Sequence, residues 1–484
     1  MIFLHMRKIL GAALCILVGF TSGAQQKWNL RTIVDYAMAN NISVKMSEVQ
    51  AKVAAVNLRQ DRLSQIPNAN LQANLGYNSG NNQDPITFQR VTQTYLSSGI
   101  QLQSSADVFN FFSKRNRIAA SEWEYEASNA YVNKVKNDIA LTAANGYLQV
   151  LLAMEQEKIM EVQVKQTMAQ LDNTRKMVDA GTLPPLNATQ LEAQLAVDSG
   201  NYVSAKGNTT LALLTLKSYM NIDAGAAFEI ETPPVDLIPL EPIADLQPEY
   251  VYALAVANQP QQKYNELRIK AAVKSKDAAK GSMLPSLGIY GSLGSNFISA
   301  RTPNYVPEIG ALAPNGSFVN VNGTSYAVQS PTITYVKNGY VHNDPYFTQL
   351  SNNFSQGVGI SLTVPIFSGY NLHSNYERAK LNINTLNLQK DMDNQKLKQD
   401  IYQAYTSAVT AMEKFNASKK AVDAAEQTFS FAGKRYNVGL LGTYDMITSQ
   451  NNLLRAKLDY SINHFDYVFK MKVLEFYKGL GLKL

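Results

Sequence analysis

Histidine, cysteine and converging carboxylates are the side chains from which hydrolytic, redox and metal chemistry are usually built, and this chain is poor in the first two. Of its 484 residues four are histidine and one, Cys15, is cysteine. His342, His373 and His464 lie far apart, with no cysteine or carboxylate at ligand spacing, so no metal centre or acid–base pair is expected from them. Gly288, Gly291 and Gly294 superficially suggest a phosphate cradle, but no helix carrying a lysine follows. Close packing, or a gap on one face of a strand, accounts for them better. With no converging set of reactive groups, the expectation is a protein that is not an enzyme and uses no cofactor.

The N-terminus points to export. Arg7 and Lys8 precede an apolar run from Ile9 to Phe20, followed by the small residues Thr21, Ser22, Gly23 and Ala24. This is the layout of a signal peptide over 1–24, cleaved near Ala24, with Met6 a second candidate initiator beside Met1. Cys15 lies inside that apolar run behind Leu14, a poor context for lipidation, so the mature chain is expected to lack cysteine and disulfides. No later stretch holds 18 consecutive apolar residues, which excludes a helical membrane protein. The net charge of +6 comes from lysine and arginine interspersed with carboxylates, which indicates solvated faces and no nucleic-acid partner.

An internal duplication organises the rest. Residues 28–77 align without a gap on 246–295, and 99–222 on 357–480. Asn40 meets Asn258, Pro67 meets Pro285, Tyr147 meets Tyr405, Gly181 meets Gly439 and Tyr219 meets Tyr477. The shift falls in one loop, 296–356, which has 61 residues against 21 in its counterpart 78–98. The first repeat is expected over 25–222, with strands at about 68–78 and 99–109, a long helix 111–179, a tip 180–187 and a helix 188–221. A proline-rich linker, 223–245, joins it to the second repeat, 246–480. That repeat is expected to hold strands at about 286–295 and 357–367, a long helix 370–436, a tip 437–444 and a helix 444–480, followed by a tail 481–484.

Each long helix is free of proline and spans roughly 100 Å at 1.5 Å per residue. The second carries Ile401, Ala408, Phe415, Val422 and Phe429 at heptad spacing, and the first a looser seam through Ile139, Ala143, Leu148, Leu151, Ile159, Val162 and Leu171. Two short helices end to end match one long one, so each repeat reads as antiparallel rods. The strands alternate: Leu71, Ala73 and Leu75 oppose Asn70, Gln72 and Asn74, and Val358, Ile360 and Leu362 oppose Gly359, Ser361 and Thr363. Segments of about 10 residues, apolar on one side, suit a barrel with lipid outside and water inside. Four strands cannot close around a lumen, and open edges are not tolerated in hydrocarbon, so other copies must complete the barrel. Eight, twelve or sixteen strands satisfy that argument equally.

The layout resembles the TolC-like outer-membrane efflux protein family over about 28–480. The resemblance rests on the duplicated plan, the strand end Val364-Pro365-Ile366-Phe367-Ser368-Gly369, and the tip from Arg435 to Asp445, where Tyr436 stands three residues before Gly439 and Asp445 six after it. It implies an α+β membrane protein with four transmembrane β-strands per protomer and long antiparallel coiled-coil helices. It further implies a homotrimer with a twelve-strand β-barrel in the lipid of the outer membrane, an α-helical tunnel across the periplasm, and partners in a periplasmic adaptor (membrane fusion) protein and an inner-membrane transporter.

The tips carry the candidate site. Gly181 and Gly439 stand where the long helices must stop, and glycine takes the left-handed conformation that reverses the chain. Asn187 and Asp445 open the returning helices as N-caps or near them. By the resemblance, tip contacts close the tunnel and aspartates line the constriction: Tyr436 and Asp445 match, whereas Asn187, Leu441 and Thr448 stand where the family often carries charge. The gate is therefore expected to be weakly charged. The functional expectation is the exit duct of a tripartite efflux pump. An exit channel of a type I protein secretion system and an exported coiled-coil structural or adhesin protein are the alternatives. Loop 296–356, rich in Asn, Gly, Pro and Tyr, is expected to be an external loop.

Overall fold

The computed structural model describes residues 27–83, 86, 88, 90–234 and 238–479, so the expected signal peptide and the tail 481–484 lie outside the described residues. In chain order the elements are α1 (Leu30–Asn40), α2 (Ile42–Leu63), β1 (Asn68–Gln83), β2 (Arg90–Phe109), α3 (Ser113–Asp179) and α4 (Pro185–Met220). After a 3-10 turn at Ile243–Leu246 follow α5 (Pro248–Asn258), α6 (Pro260–Gly281), β3 (Ser286–Ile298), β4 (Pro303–Val321), β5 (Thr324–Tyr340), α7 (Tyr346–Asn352), β6 (Ser355–Thr363), α8 (Asn371–Asn437) and α9 (Thr443–Tyr477). The chain divides into a helical unit, comprising the residues up to Arg59, Ala119–Ser275 and those from Arg378 onward, and a strand unit, Gln60–Ile118 with Lys276–Glu377.

In the helical unit the duplication reappears as matched cores. One cluster buries Ile33, Ala37, Ala143, Tyr147, Val150 and Leu216. The other buries Val251, Ala255, Ile401, Ala408 and Leu474. Aligned positions fill both, and Ala143 with Val150 gives way to Ile401 with Ala408, a size exchange that conserves volume. The first cluster also takes Phe465 and Val468 from α9, so the repeats do not fold around separate cores. Trp28 pins the chain entry: its N–H donates to Glu229 O at 2.9 Å, and its carbonyl accepts from Glu231 N at 2.8 Å. The Tyr147 hydroxyl donates to Glu231 O at 2.7 Å. Burial, reinforced by the charge of Glu231, pushes the Tyr147 phenol up to about 12.

The strand unit holds an antiparallel sheet in the order β1-β2-β3-β6. Its register keeps the alternation in phase: Leu71 faces Leu102, Leu102 faces Leu293, and Ile289 faces Ile360. One face is therefore apolar and the other is lined by Asn, Gln, Ser and Gly. β1 and β2 run on to a rim at Gln83 and Arg90, past the ends expected near 78 and 99, because Asn78–Gln83 is polar on both faces and carries no alternation to read. The strand expected over 357–367 stops at Thr363, ahead of Pro365, which has no N–H to donate. The segment 296–356 is no plain loop: it contains the hairpin β4–β5 and the short helix α7. At the strand-to-helix corner, α6 passes so close to the chain that a Cβ on Gly281 would meet Phe111 O at 2.8 Å and Ser113 N at 3.0 Å.

Two tests follow from this packing. Tyr147 is neutral in the folded chain to about 12 but ionises near 10 when unfolded, so its contribution is complete below pH 10 and is lost as pH rises towards 12. Melting curves in detergent across that window should fall less for Tyr147→Phe than for the parent; equal slopes would rule out this role. Gly281→Ala must displace backbone, with an expected loss of about 1–3 kcal/mol in denaturant unfolding.

Candidate functional site

The site is built from two helical turns and the helices that carry them, all within the helical unit. At the first turn Gly181 has φ 72°, and Thr182 N–H donates to Met177 O at 2.9 Å. At the second Gly439 has φ 73°, and Leu440 N–H donates to Arg435 O at 2.9 Å. Both close the helix with the six-to-one bond of a glycine-terminated helix end. A Cβ at either glycine would meet nothing within 4 Å, so glycine is needed there for its backbone and not for space.

Asn187 and Asp445 stand near the starts of the returning helices, as expected, but neither is the N-cap. Pro184 is the N-cap of α4 with Pro185 at the first helical position, and Gly442 is the N-cap of α9; neither has a side-chain cap bond. Proline at the first position suits a helix start without a capping side chain, since its missing N–H has no intrahelical partner there. Asn187 and Asp445 each sit two residues further in. Asp445 is exposed in the first turn of α9, where the helix dipole favours negative charge. Leu441 is half-buried, and Thr448 is exposed with its hydroxyl donating to Tyr444 O at 2.8 Å.

Tyr436 is 4% exposed, with its hydroxyl 2.9 Å from Thr174 Oγ1 and 3.3 Å from Thr443 Oγ1. This contact ties the end of α8 to the end of α3. Thr174 belongs to a buried polar seam that sequence reading did not find. Asp198 on α4, 1% exposed, accepts from Thr167 at 2.6 Å, Gln163 at 3.3 Å and Gln194 at 2.7 Å. Gln450 on α9 donates to Thr167 Oγ1 at 2.9 Å. The signal available was spacing: Gln163, Thr167, Leu171 and Thr174 recur at four, four and three residues, the rhythm of a buried helix face. Val162, assigned to that face on hydrophobicity, is exposed instead.

The histidines lie apart from the turns. His464 stacks on Phe415 at 4.6 Å, and His373 packs on Tyr370 at 4.7 Å. No grouping of three potential metal ligands occurs among the described residues.

With this geometry in place, comparison with known proteins is informative. The profile of the family described as outer membrane efflux protein matches residues 33–221 and 251–463. The outer membrane protein TolC of Escherichia coli (strain K12) is 21% identical over 465 residues, covering 96% of this chain and 84% of that protein. The outer membrane efflux protein BepC of Brucella suis biovar 1 (strain 1330) is 21% identical over 424 residues, covering 87% of this chain and 79% of that protein. Among solved structures, CusC, described in terms of transmembrane channel formation, superposes with a TM-score of 0.72 at 14% identity, covering 93% of this chain and 92% of that one. That last likeness is one of fold.

The seam yields its own test. Asp198→Ala leaves two buried donors, Thr167 and Gln163, without this acceptor, with an expected cost of about 1–3 kcal/mol, whereas Asp198→Asn keeps an acceptor and costs less. Denaturant unfolding of both variants measures the difference; an Asp198→Ala variant as stable as the parent would show that water already serves those donors.

Proposed function

The chain belongs to the outer membrane efflux protein family, and from that premise we propose how it works as the exit duct of a tripartite efflux pump. Members of this family form channels and are not enzymes. The observation that carries the reading is the four-stranded sheet, apolar on one face and polar on the other across all four strands, whose outer strands β1 and β6 each leave one edge unpaired among the described residues. Three copies, pairing β1 of one with β6 of the next, give a twelve-strand barrel in the lipid of a Gram-negative outer membrane, with the polar face inward. The helices of the three copies form a tunnel in the periplasm. A passive conduit needs no residue that does covalent chemistry, which fits the packing of His373 and His464 against aromatic rings.

The gate lies at the helical turns. Tyr436, Gly439, Leu441, Asp445 and Thr448 form its second turn, and Gly181 and Asn187 belong to the first. The Tyr436–Thr174 hydrogen bond holds the ends of α8 and α3 together, and three copies of the exposed Asp445 make the constriction weakly cation-preferring, an effect that salt reduces. Exposed apolar side chains at Val438, Leu440 and Tyr444 suit contact with a periplasmic adaptor, which in turn reaches an inner-membrane transporter.

Planar-bilayer recording on the purified oligomer tests the reading. The parent should show small, discrete, cation-preferring conductance. Tyr436→Phe should raise it several-fold by removing the hydroxyl that bridges Thr174 and Thr443, and Asp445→Ala should reduce the cation preference. Silence from all three proteins would sink the channel.

A further inference from the structure

The helix α2 carries an apolar row that is left bare. Ile42, Met46, Val49, Val53 and Val56 recur at four, three, four and three residues, the spacing of a coiled-coil seam, and they are 55–63% exposed. A second row lies on α8, where Leu381, Thr385, Leu388 and Met392 recur at four, three and four residues and the three apolar members are 56–70% exposed. Other faces of the same helices are occupied. α2 buries Val44, Ser47, Ala51 and Leu58, and its Glu48 pairs with Lys136 of α3 at 3.0 Å. On α8, Asp393 accepts from Gln261 of α6 at 3.1 Å and from Asn265 of α6 at 2.8 Å.

The internal duplication shows what fits these rows. Its registers align α2 with α6 and α3 with α8, so Met46 and Val49 correspond to Tyr264 and Leu267, while Leu381, Thr385 and Leu388 correspond to Trp123, Ala127 and Ala130. Within the chain those counterparts touch: Ala127, Ala130 and Leu267 are buried together, with Trp123 and Tyr264 packed against them. Tyr264 lies 5.3 Å from Tyr131, and Lys270 Nζ lies 5.2 Å from the Trp123 ring, so the two helices run antiparallel. α6 thus lies between α3 and α8 and uses one face for each. α2 uses one face for α3 and leaves the other bare.

Transposing the α3–α6 contact onto its aligned helices sets the α2 row on the α8 row. Both rows are exposed, so they do not meet within one chain; a second copy brings them together. Side-chain size suits the exchange, since large rings over alanines in one junction give way to mid-sized chains on both sides of the other. In the same antiparallel register the basic border of α2, Lys45 and Lys52, runs beside Asn384 and Asp391 of α8. We infer that the α2 row of one copy packs on the α8 row of its neighbour as an antiparallel coiled-coil seam, repeating between chains the contact that α3 and α6 make within each. Two different patches are used, so the contact is head-to-tail and generates a ring where the rotation closes. The inference rests on the oligomer proposed above and gives its helical wall a junction of its own. Since α2 leads into β1 and α8 follows β6, that junction joins the same two copies as the strand pairing.

The chain's only cysteine, Cys15, lies in the expected signal peptide, so introduced cysteines report cleanly. Val49→Cys and Leu388→Cys would be made in the full chain, singly and together, and treated in outer membranes with a short bis-maleimide. The seam predicts covalent dimers and trimers from the double variant and monomer alone from either single one, because equivalent positions around a head-to-tail ring stay apart. Monomer from the double variant overturns the inference, and so do dimers from Val49→Cys alone, which would need like rows to face each other. Val53→Asp adds a measurement that needs no cross-linker: it should leave helical circular dichroism unchanged and lower the temperature at which the detergent-solubilised oligomer releases monomer. An unchanged temperature also overturns the seam. Light scattering of the parent in detergent separates the two readings. A monomer defeats the duct and the seam together, whereas an oligomer whose double variant does not cross-link defeats the seam alone.

Discussion

Backbone hydrogen bonding at the two edges of the sheet is the constraint on which the rest depends. β1 and β6 each present, on their outer edge, a row of N–H and C=O groups that no strand among the described residues satisfies. In water such edges are a liability; in hydrocarbon each unpaired group costs several kcal/mol. On the barrel proposed above, the exposed Leu71, Val358 and Ile360 face lipid, so their exposure in the isolated chain does not mark poor packing. The apolar faces of α8 follow the same logic. Ile401 and Ala408 are buried within the chain, while Phe415, Val422 and Phe429 along the same heptad seam remain half-exposed.

Duplication supplied the parts, and later divergence separated their roles. The apolar cores use aligned positions in both repeats, but the polar seam has no second copy, and Gln450 of the second repeat donates into the set carried by the first. Gln163, Thr167, Thr174 and Asp198 align with Ala421, Ala425, Ala432 and Ala456. Four buried polar side chains on one side therefore correspond to four alanines on the other. Alanine lets helices approach closely without fixing their register, whereas a satisfied polar network is costly to slide because every bond must break together. The first repeat thus holds α3, α4 and α9 in one alignment. The second repeat contributes Tyr436, whose counterpart Val178 has no hydroxyl to give.

Much of this plan was legible in the sequence, and the reasons for the gaps are physical. Repeats, proline-free helices and tip glycines were readable because each depends on local spacing or on a single residue type. Four strands declared themselves through alternation. The hairpin 303–340 did not, since Pro307, Pro314 and Pro331 and register shifts after Ile309 and Pro314 break the period of two. Its Asn322-Gly323 turn, flanked by Phe318, Val321 and Tyr326, was the readable signal. The seam stayed hidden because polar residues at core spacing look like a solvated face until their partners on other helices are known. Asn187 and Asp445 were close to the right positions, but two prolines and a glycine begin the helices there without a capping side chain.

The corners where strands become helices show how strongly backbone geometry governs this fold. Before α3 the pair Phe111 and Phe112 has φ of 45° and 62°; before α8 the aligned pair Gly369 and Tyr370 has φ of 59° and 66°. Both repeats thus turn the corner through two consecutive left-handed residues. Glycine does this freely, but a phenylalanine pays about 1–2 kcal/mol. Compensation is visible: Phe109 lies 4.9 Å from Phe111 and 5.8 Å from Phe112, and the Ser113 hydroxyl donates to Ala278 O at 2.9 Å. Conserving the turn while exchanging glycine for phenylalanine means that the corner's path is the constrained quantity. Side chains at the corner vary around a fixed trajectory, because the strand on one side must keep its register in the sheet and the helix on the other must start on the residue that lets its core positions face inward.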